Sequence, residues 1–350
     1  MKKLLLILAF AVGLVAISGL VAFNSLVHGP SGDPAPPLVE VAIPPGAGFQ
    51  EVVDILDARG LVRRPGLFRI YARLKGADTQ VRAGPYSFPA PASWDRLLTD
   101  LTEGRVLTQT MTIPEGFTLK QMAPRIAAIT EVPEDSVLAG LTGPSLDEVW
   151  GVPGPGLEGY LFPDSYYLAQ GVPLAEVLAA MVGRYREFWN PERIASREAI
   201  GMTEAEVVTL ASIVQAEARL REEMPTIASV YHNRLARNHR LQADPTVLYA
   251  LGGPRARLLY AAMDSVADHP YNTYTHNGLP PGPIGAPGAA ALDAALSPAE
   301  TDFFYFVAHP DGSHIFSRTL SEHNRAVAQS RRLRDRLRRE QGQGQGNDPR

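Results

Sequence analysis

The residues best equipped for chemistry in this 350-residue chain are carboxylates set among hydroxyl and aromatic groups, and Glu217 stands out among them. Thr203 and Glu206 form a T-x-x-E capping box, which predicts that a helix begins there. Val207, Leu210, Val214 and Glu217 then recur at three- and four-residue spacings, with Ile213 on the same side. That spacing puts Glu217 on the apolar face of the helix. An ionised, unpaired carboxylate in such a place is costly. Two arrangements remove the cost: a buried ion pair with Arg234 or Arg240, or a raised pKa that makes Glu217 a general acid. Spacing alone leaves both open.

Other groups qualify less directly. Asp244 precedes Pro245 in LQADPTVLYAL and reads first as the cap of a short helix, with catalysis as the alternative. Glu158 lies in the Gly/Pro-rich stretch GVPGPGLEGYLFPDSYYL (151–168), next to Tyr160, Phe162, Tyr166 and Tyr167. Rings beside a carboxylate suit a sugar-binding cleft, although aromatics in a loop also serve as core plugs. Residues 270–288, PYNTYTHNGLPPGPIGAPG, form a long polar loop of the kind that carries function, and its Asn, Thr and Tyr groups suit a carbohydrate. His309 and His314 flank a turn without a third ligand nearby, so no metal site is expected.

Composition narrows the chemistry. The chain has no cysteine, which excludes thiol nucleophiles and zinc-thiolate or iron–sulfur sites, and its net charge of -4 offers no general attraction to nucleic acid. Phosphate-loop, dinucleotide, zinc-peptidase and G-x-S-x-G motifs are all missing. Acid/base work by carboxylates in a hydroxyl-rich setting remains, and that points to glycan cleavage.

The elements that must position these groups follow an α+β plan. Residues 1–3 form a cytoplasmic tip. Leu4 to Phe23 are uncharged and mostly apolar behind Lys2 and Lys3, long enough at about 1.5 Å per residue to span a bilayer core of about 30 Å. The next Lys or Arg is Arg59, so the positive charge places the bulk of the chain outside the cytoplasm. A linker at 24–37 contains GPSGDPAPP. Residues 38–108 read as a small α/β domain in the order β-α-α-β-α, its last helix capped by Ser93 and closed by Gly104. Residues 109–340 form a mixed α+β domain. It holds an amphipathic helix over Leu174 to Trp189, a helix opened by Pro225, a hairpin of Phe303 to Ala308 with His314 to Ser317, and a final helix over Ser321 to Glu340. Residues 341–350 are a tail. RRLRDRLRR (331–339) reads as a solvated face, with contact to anionic lipid or glycan as the alternative.

LEGYLFPDSYYL (157–168), ASIVQAEA (211–218), ASVYHNRL (228–235), LQADPTVLYAL (241–251), YNTYTHNGLPPGPIGAPG (271–288) and FYFVAHPDGSHIFSRTLSEHN (304–324) resemble, in order, the motifs of the endolytic murein transglycosylase family, the YceG-like proteins. The resemblance implies a LysM-like domain over 38–108 and a catalytic domain over 109–340. It implies a lyase anchored in the inner membrane by one helix, with its catalytic domain in the periplasm or otherwise outside the cytoplasm. Its substrate would be nascent peptidoglycan, cut within the strand between N-acetylmuramic acid and N-acetylglucosamine to leave 1,6-anhydro ends and limit chain length. It further implies no cofactor and, as partners, peptidoglycan synthases of the penicillin-binding class. The family's catalytic glutamate in ASIVxxE falls on Glu217. Some members carry an acid two positions earlier, where this chain has Gln215. Glu158, Gln242, Asp244, Thr246, Tyr271, Asn272, Thr273 and Tyr274 are the implied cleft wall. The competing readings are a hydrolytic muramidase, with Asp244 or Glu158 as second carboxylate, and a non-catalytic glycan-binding scaffold.

Overall fold

The computed structural model describes residues 18–28, 38–90, 92–104, 108–253, 255 and 260–344. The chain divides into two compact units, Met1–Thr110 with Tyr167–Gly171 and Met111–Tyr166 with Val172–Arg350. The architecture is mixed α+β; among the described residues, helices outnumber the strands of three small two-stranded sheets.

In the first unit residues 18–28 are helical (α1). The helix therefore continues through residues 24–28, which were expected to belong to the linker, because Val27 is buried in the core of this unit and Phe23 packs edge-on against Tyr71 and Trp94. No helix among the described residues is long and apolar enough to cross a membrane; residues 1–17, which hold the tip and most of the expected span, and residues 29–37 lie outside the described residues. Strand β1 (Leu38–Ile43) pairs antiparallel with β2 (Gly84–Pro89), with Val41 opposite Tyr86. Helices α2 (Phe49–Ala58), α3 (Pro65–Leu74) and α4 (Trp94–Glu103) bury Val52, Val53, Leu56, Phe68, Trp94 and Leu97 against this ribbon. Ser93 caps α4 by accepting from the Arg96 amide, and Gly104 ends it in the left-handed conformation.

Strands β3 (Thr108–Thr112) and β4 (Ser165–Ala169) form a second two-stranded sheet. In the second unit, α5 (Leu119–Thr130), α6 (Glu134–Leu141) and α7 (Leu146–Trp150) precede β4, and α8 (Leu174–Phe188) and α9 (Pro191–Ile200) follow it. The centre is α10 (Glu204–Glu217), opened by the Thr203/Glu206 capping box with both of its hydrogen bonds in place. Every residue from Val207 to Val214 is buried. This corrects the amphipathic reading: α10 is enclosed on all sides, with α14 (Ala289–Leu296) and α11 (Met224–Ala236) as its main neighbours. Glu217 is set apart by being the last helical residue, not by lying on an apolar stripe. α12 (Asp244–Ala250) and α13 (Tyr260–Asp264) lead into the 270–288 loop. The hairpin of β5 (Tyr305–Ala308) and β6 (His314–Ser317) is antiparallel, and α15 (Leu320–Gly344) packs on it, running past the expected end at Glu340.

Candidate active site

Glu217 ends α10, where the unpaired carbonyls of the final turn carry partial negative charge and disfavour a second negative group. Among the described residues its one hydrogen-bond donor is the Tyr231 hydroxyl, which reaches Oε1 at 3.0 Å. Tyr231 is fully buried on α11, and its phenol is held well above the ordinary range by burial and by Glu217, so it remains a donor. Burial raises the Glu217 carboxyl to about 7; the Tyr231 bond and the positive charge of Arg234 oppose the rise, and the negative charge of Asp244 adds to it. The ion-pair reading fails on geometry. Arg234 donates through Nε to the Phe304 carbonyl at 2.8 Å and also to that of Leu241. Arg240 donates to the Tyr274 carbonyl at 3.0 Å and to Asn277. Glu217 is in no ion pair among the described residues.

The carboxyl faces a cavity of about 430 Å³. One wall holds Glu217, Tyr231, Arg234, Gln242, Asp244 and Tyr274; the other is Tyr305 to Ala308, His314, Leu320 and His323. Three α11 and loop contacts bring the second wall up: Arg234 holds Phe304, and Asn233 Nδ2 donates to the carbonyls of Thr301 and Phe303 at 2.9 Å each. Phe306 sits edge-on to Tyr231 with centroids 5.9 Å apart. His314 is fixed by Glu223, which accepts from its amide at 2.9 Å and contacts its Nδ1 at 2.7 Å. His323 stacks on Tyr305, and burial, reinforced by Arg234, keeps its imidazole below the ordinary value.

The structure separates the eight residues expected in the cleft wall into three groups. Gln242, Asp244 and Tyr274 do line the cavity with Glu217. Asp244 is not a helix cap: Ala243 occupies that position, and the Asp244 carboxylate accepts from the Tyr274 hydroxyl. Thr246, Asn272 and Thr273 are scaffold instead of wall. All three are buried; the Thr246 and Thr273 hydroxyls bond each other at 2.9 Å, Thr273 Oγ1 accepts from the Ala243 amide at 3.0 Å, and Asn272 Nδ2 donates to the Val266 carbonyl at 3.0 Å. The two threonines clamp residues 243–246 to Thr273, and Gln242 stands in the left-handed region at φ 49°. Glu158 and Tyr271 belong to a different cluster. Glu158 accepts from the Leu119 amide at the start of α5 (3.2 Å) and from the Tyr249 hydroxyl (3.2 Å), and the Tyr249 and Tyr271 rings lie 4.9 Å apart. Neither residue lines the Glu217 cavity.

Two further expectations change. Tyr160, Phe162 and Tyr166 are buried core residues, and only Tyr167 is exposed, so the aromatic run at 160–167 is not a sugar platform. The cavity's rings are those of Tyr231, Tyr274, Tyr305, Phe306, His314 and His323. The second half of the 270–288 loop is packed inside: the Ala286 amide donates to Phe117 at 2.8 Å, the Gly116 amide donates back at 2.7 Å, and Ile284 donates to Ser212 Oγ at 3.1 Å. Gly285 has to be glycine there, since a Cβ would stand 2.7 Å from the Gly116 carbonyl. Gln215 accepts from the Gly288 amide at 3.0 Å and so ties this loop to α10.

An unpaired, protonatable carboxyl beside a cavity walled by rings and hydroxyls is the equipment of an enzyme that cleaves glycosidic bonds by proton transfer. The chain belongs to the YceG-like family, whose model matches residues 41–329. It is similar to the endolytic murein transglycosylase of Bacillus subtilis (strain 168), 33% identical over 82% of this chain and 83% of that protein. It is 30% identical to the protein of the same name from Streptococcus pneumoniae serotype 2 (strain D39), over 83% of this chain and 58% of the relative. A crystal structure of a yceG-like protein from Listeria monocytogenes aligns with a TM-score of 0.56 and 32% identity, over 83% of this chain and 99% of that one.

Proposed function

We propose that this chain is a lytic transglycosylase that cuts murein strands internally, with Glu217 as the sole proton-transfer group. The observation that carries this reading is a carboxyl raised to about 7 that has one hydroxyl donor and faces a cavity of about 430 Å³. Membership of the YceG-like family and similarity to two endolytic murein transglycosylases support the substrate class.

Hydrolysis uses two carboxylates, one acid and one nucleophile or base. A transglycosylase needs one, because the sugar supplies the nucleophile. Protonated Glu217 donates to the oxygen joining N-acetylmuramic acid to N-acetylglucosamine, and the muramyl C1–O bond breaks with its electron pair leaving on that oxygen. The muramyl C6 hydroxyl then bonds to C1 and gives its proton to the Glu217 carboxylate, which regenerates the acid and leaves a 1,6-anhydro end. A carboxyl near pKa 7 serves both halves near neutral pH. Between them, the Tyr231 hydroxyl stabilises the carboxylate and fixes Oε1. Asp244, on the same wall, adds negative charge that favours the oxocarbenium-like transition state. Leu4 to Phe23, behind Lys2 and Lys3, anchors the chain in the cytoplasmic membrane with the catalytic unit outside, and residues 38–108 form a LysM-like domain.

Asp244 also supports a second reading. A carboxylate in the same cavity could activate water and make the enzyme a muramidase. Mass analysis of cleaved strands distinguishes the two. Ends lighter by one water than hydrolysed ends are expected; fully hydrated ends would replace the lyase with the hydrolase, and intact strands would refute both.

A further inference from the structure

The cavity that contains Glu217 has a neighbour. Ala308, part of that cavity, also lines a groove of about 410 Å³ with Arg219, His309, Arg334, Leu337 and Arg338. The groove is built by packing. Ser330 is fully buried and donates to the Ala308 carbonyl at 2.8 Å, which pins α15 to β5. Arg334 and Arg338 follow at four-residue intervals and so lie on the helix face that Ser330 turns toward the hairpin. Across from them Arg219, two residues after Glu217, runs along the 309–313 turn, where a Cβ on Gly312 would stand 3.9 Å from its Cδ.

The groove is cationic and its charges are unspent. None of Arg219, Arg334 and Arg338 is in an ion pair among the described residues. Asp311, the acid on the turn, is engaged by His309 at 2.8 Å and by Ser313. Asp335, one position after Arg334 and three before Arg338, is in no ion pair with either among the described residues. α15 carries seven arginines against three acids in a chain whose net charge is -4, so positive charge is concentrated here.

We propose that this groove holds the carboxylates of the peptide stems that project from a murein strand while the sugar backbone occupies the Glu217 cavity. The inference rests on the murein reading above. The sugars of such a strand are uncharged, but each muramyl unit bears a lactyl-linked peptide with free carboxylates. A stem leaving a sugar in the cavity meets the adjoining groove at Ala308. Planar guanidinium forks match carboxylate geometry. The concave shape and its adjacency to the Glu217 cavity at Ala308 favour a group attached to the substrate over a flat lipid surface.

The test uses the full chain carrying Glu217→Gln, so that strands bind uncut. Its equilibrium binding is measured to strands with free stem carboxylates and to the same strands with those carboxylates capped as methylamides. Strands with free carboxylates should bind roughly fivefold tighter at low salt, the size expected of a few exposed ion pairs, and the gap should shrink as salt rises. Adding R334Q/R338Q should abolish the gap, whereas R331Q/R339Q, an equal loss of charge outside the groove, should keep it. Glutamine is nearly as good a helix former as arginine, so α15 should persist in both. No gap in the parent, or equal loss in both double variants, overturns the proposal. So does binding to phosphatidylglycerol vesicles that depends on Arg334 and Arg338 without any strand gap. Failure of the murein reading registers separately, as strands left uncut by the unsubstituted chain.

Discussion

Glu158 and Glu217 are both carboxyls raised to about 7, and in both cases burial is the largest cause. Their surroundings differ in ways that decide what each can do. Glu158 sits at the start of α5, where it accepts from the Leu119 backbone amide and from Tyr249, and helix-start amides favour negative charge. Glu217 ends α10, at the pole that disfavours charge, with one hydroxyl donor and an open cavity. The first is a structural tie. The second can exchange a proton with a bound molecule. A raised pKa therefore does not separate the two carboxyls; access and the polarity of the helix terminus do.

Substitution tests the difference between the two carboxyls. Glu217→Gln should lower the cleavage rate by about 10²- to 10⁴-fold, the usual contribution of a positioned acid/base group, measured as released ends per folded enzyme. The same variant should change stability with a defined sign. The folded carboxyl titrates near 7 against an ordinary value of 4.5, so the native state holds its proton after the unfolded chain has lost one. Wild-type stability should thus fall between those pH values by on the order of 3 kcal/mol and level off above, and urea denaturation should show this component absent in Glu217→Gln. Glu158→Ala should leave the Leu119 amide and the Tyr249 hydroxyl without their acceptor and destabilise the fold by about 1–3 kcal/mol. Cleavage per folded molecule should stay within about tenfold, a margin set by indirect displacement of the site. Tyr231→Phe removes a bond that favours the Glu217 anion, so the alkaline limb of the pH–rate profile should move up and the rate should drop about tenfold. Asp244→Asn removes a charge that raises Glu217, and the limb should move down by a smaller amount.

Much of the scaffold could be read from local signals. The Thr203/Glu206 box, the Ser93 cap and the hairpin turn at 309–313 each depend on residues a few positions apart, and each formed as expected. The central carboxylate was legible too, although for an incomplete reason: enclosure of α10 on all sides comes from distant partners such as α14, an alanine-rich segment whose periodicity did not mark it. Half of the site was not legible. Tyr305, Phe306, His314 and His323 reach Glu217 from a hairpin and helix roughly ninety to a hundred positions away, brought there by Arg234 and Asn233 binding carbonyls. Thr246 and Thr273 look like ligand-binding hydroxyls in a sequence and prove to bond each other, a pairing across 27 residues that composition cannot reveal. Glu158 shared a motif with aromatics that turned inward, and the helix start that holds it lies 39 residues earlier.

The most direct test of the central claim is the pH dependence of single-turnover strand cleavage, recorded for the wild type and for Glu158→Gln. If Glu217 alone donates the proton, both should lose activity as pH rises through about 7, with the same limb in each, because the group titrating is untouched by the second substitution. A limb that disappears or shifts in Glu158→Gln, or a rate indifferent to pH across that range, would contradict the account.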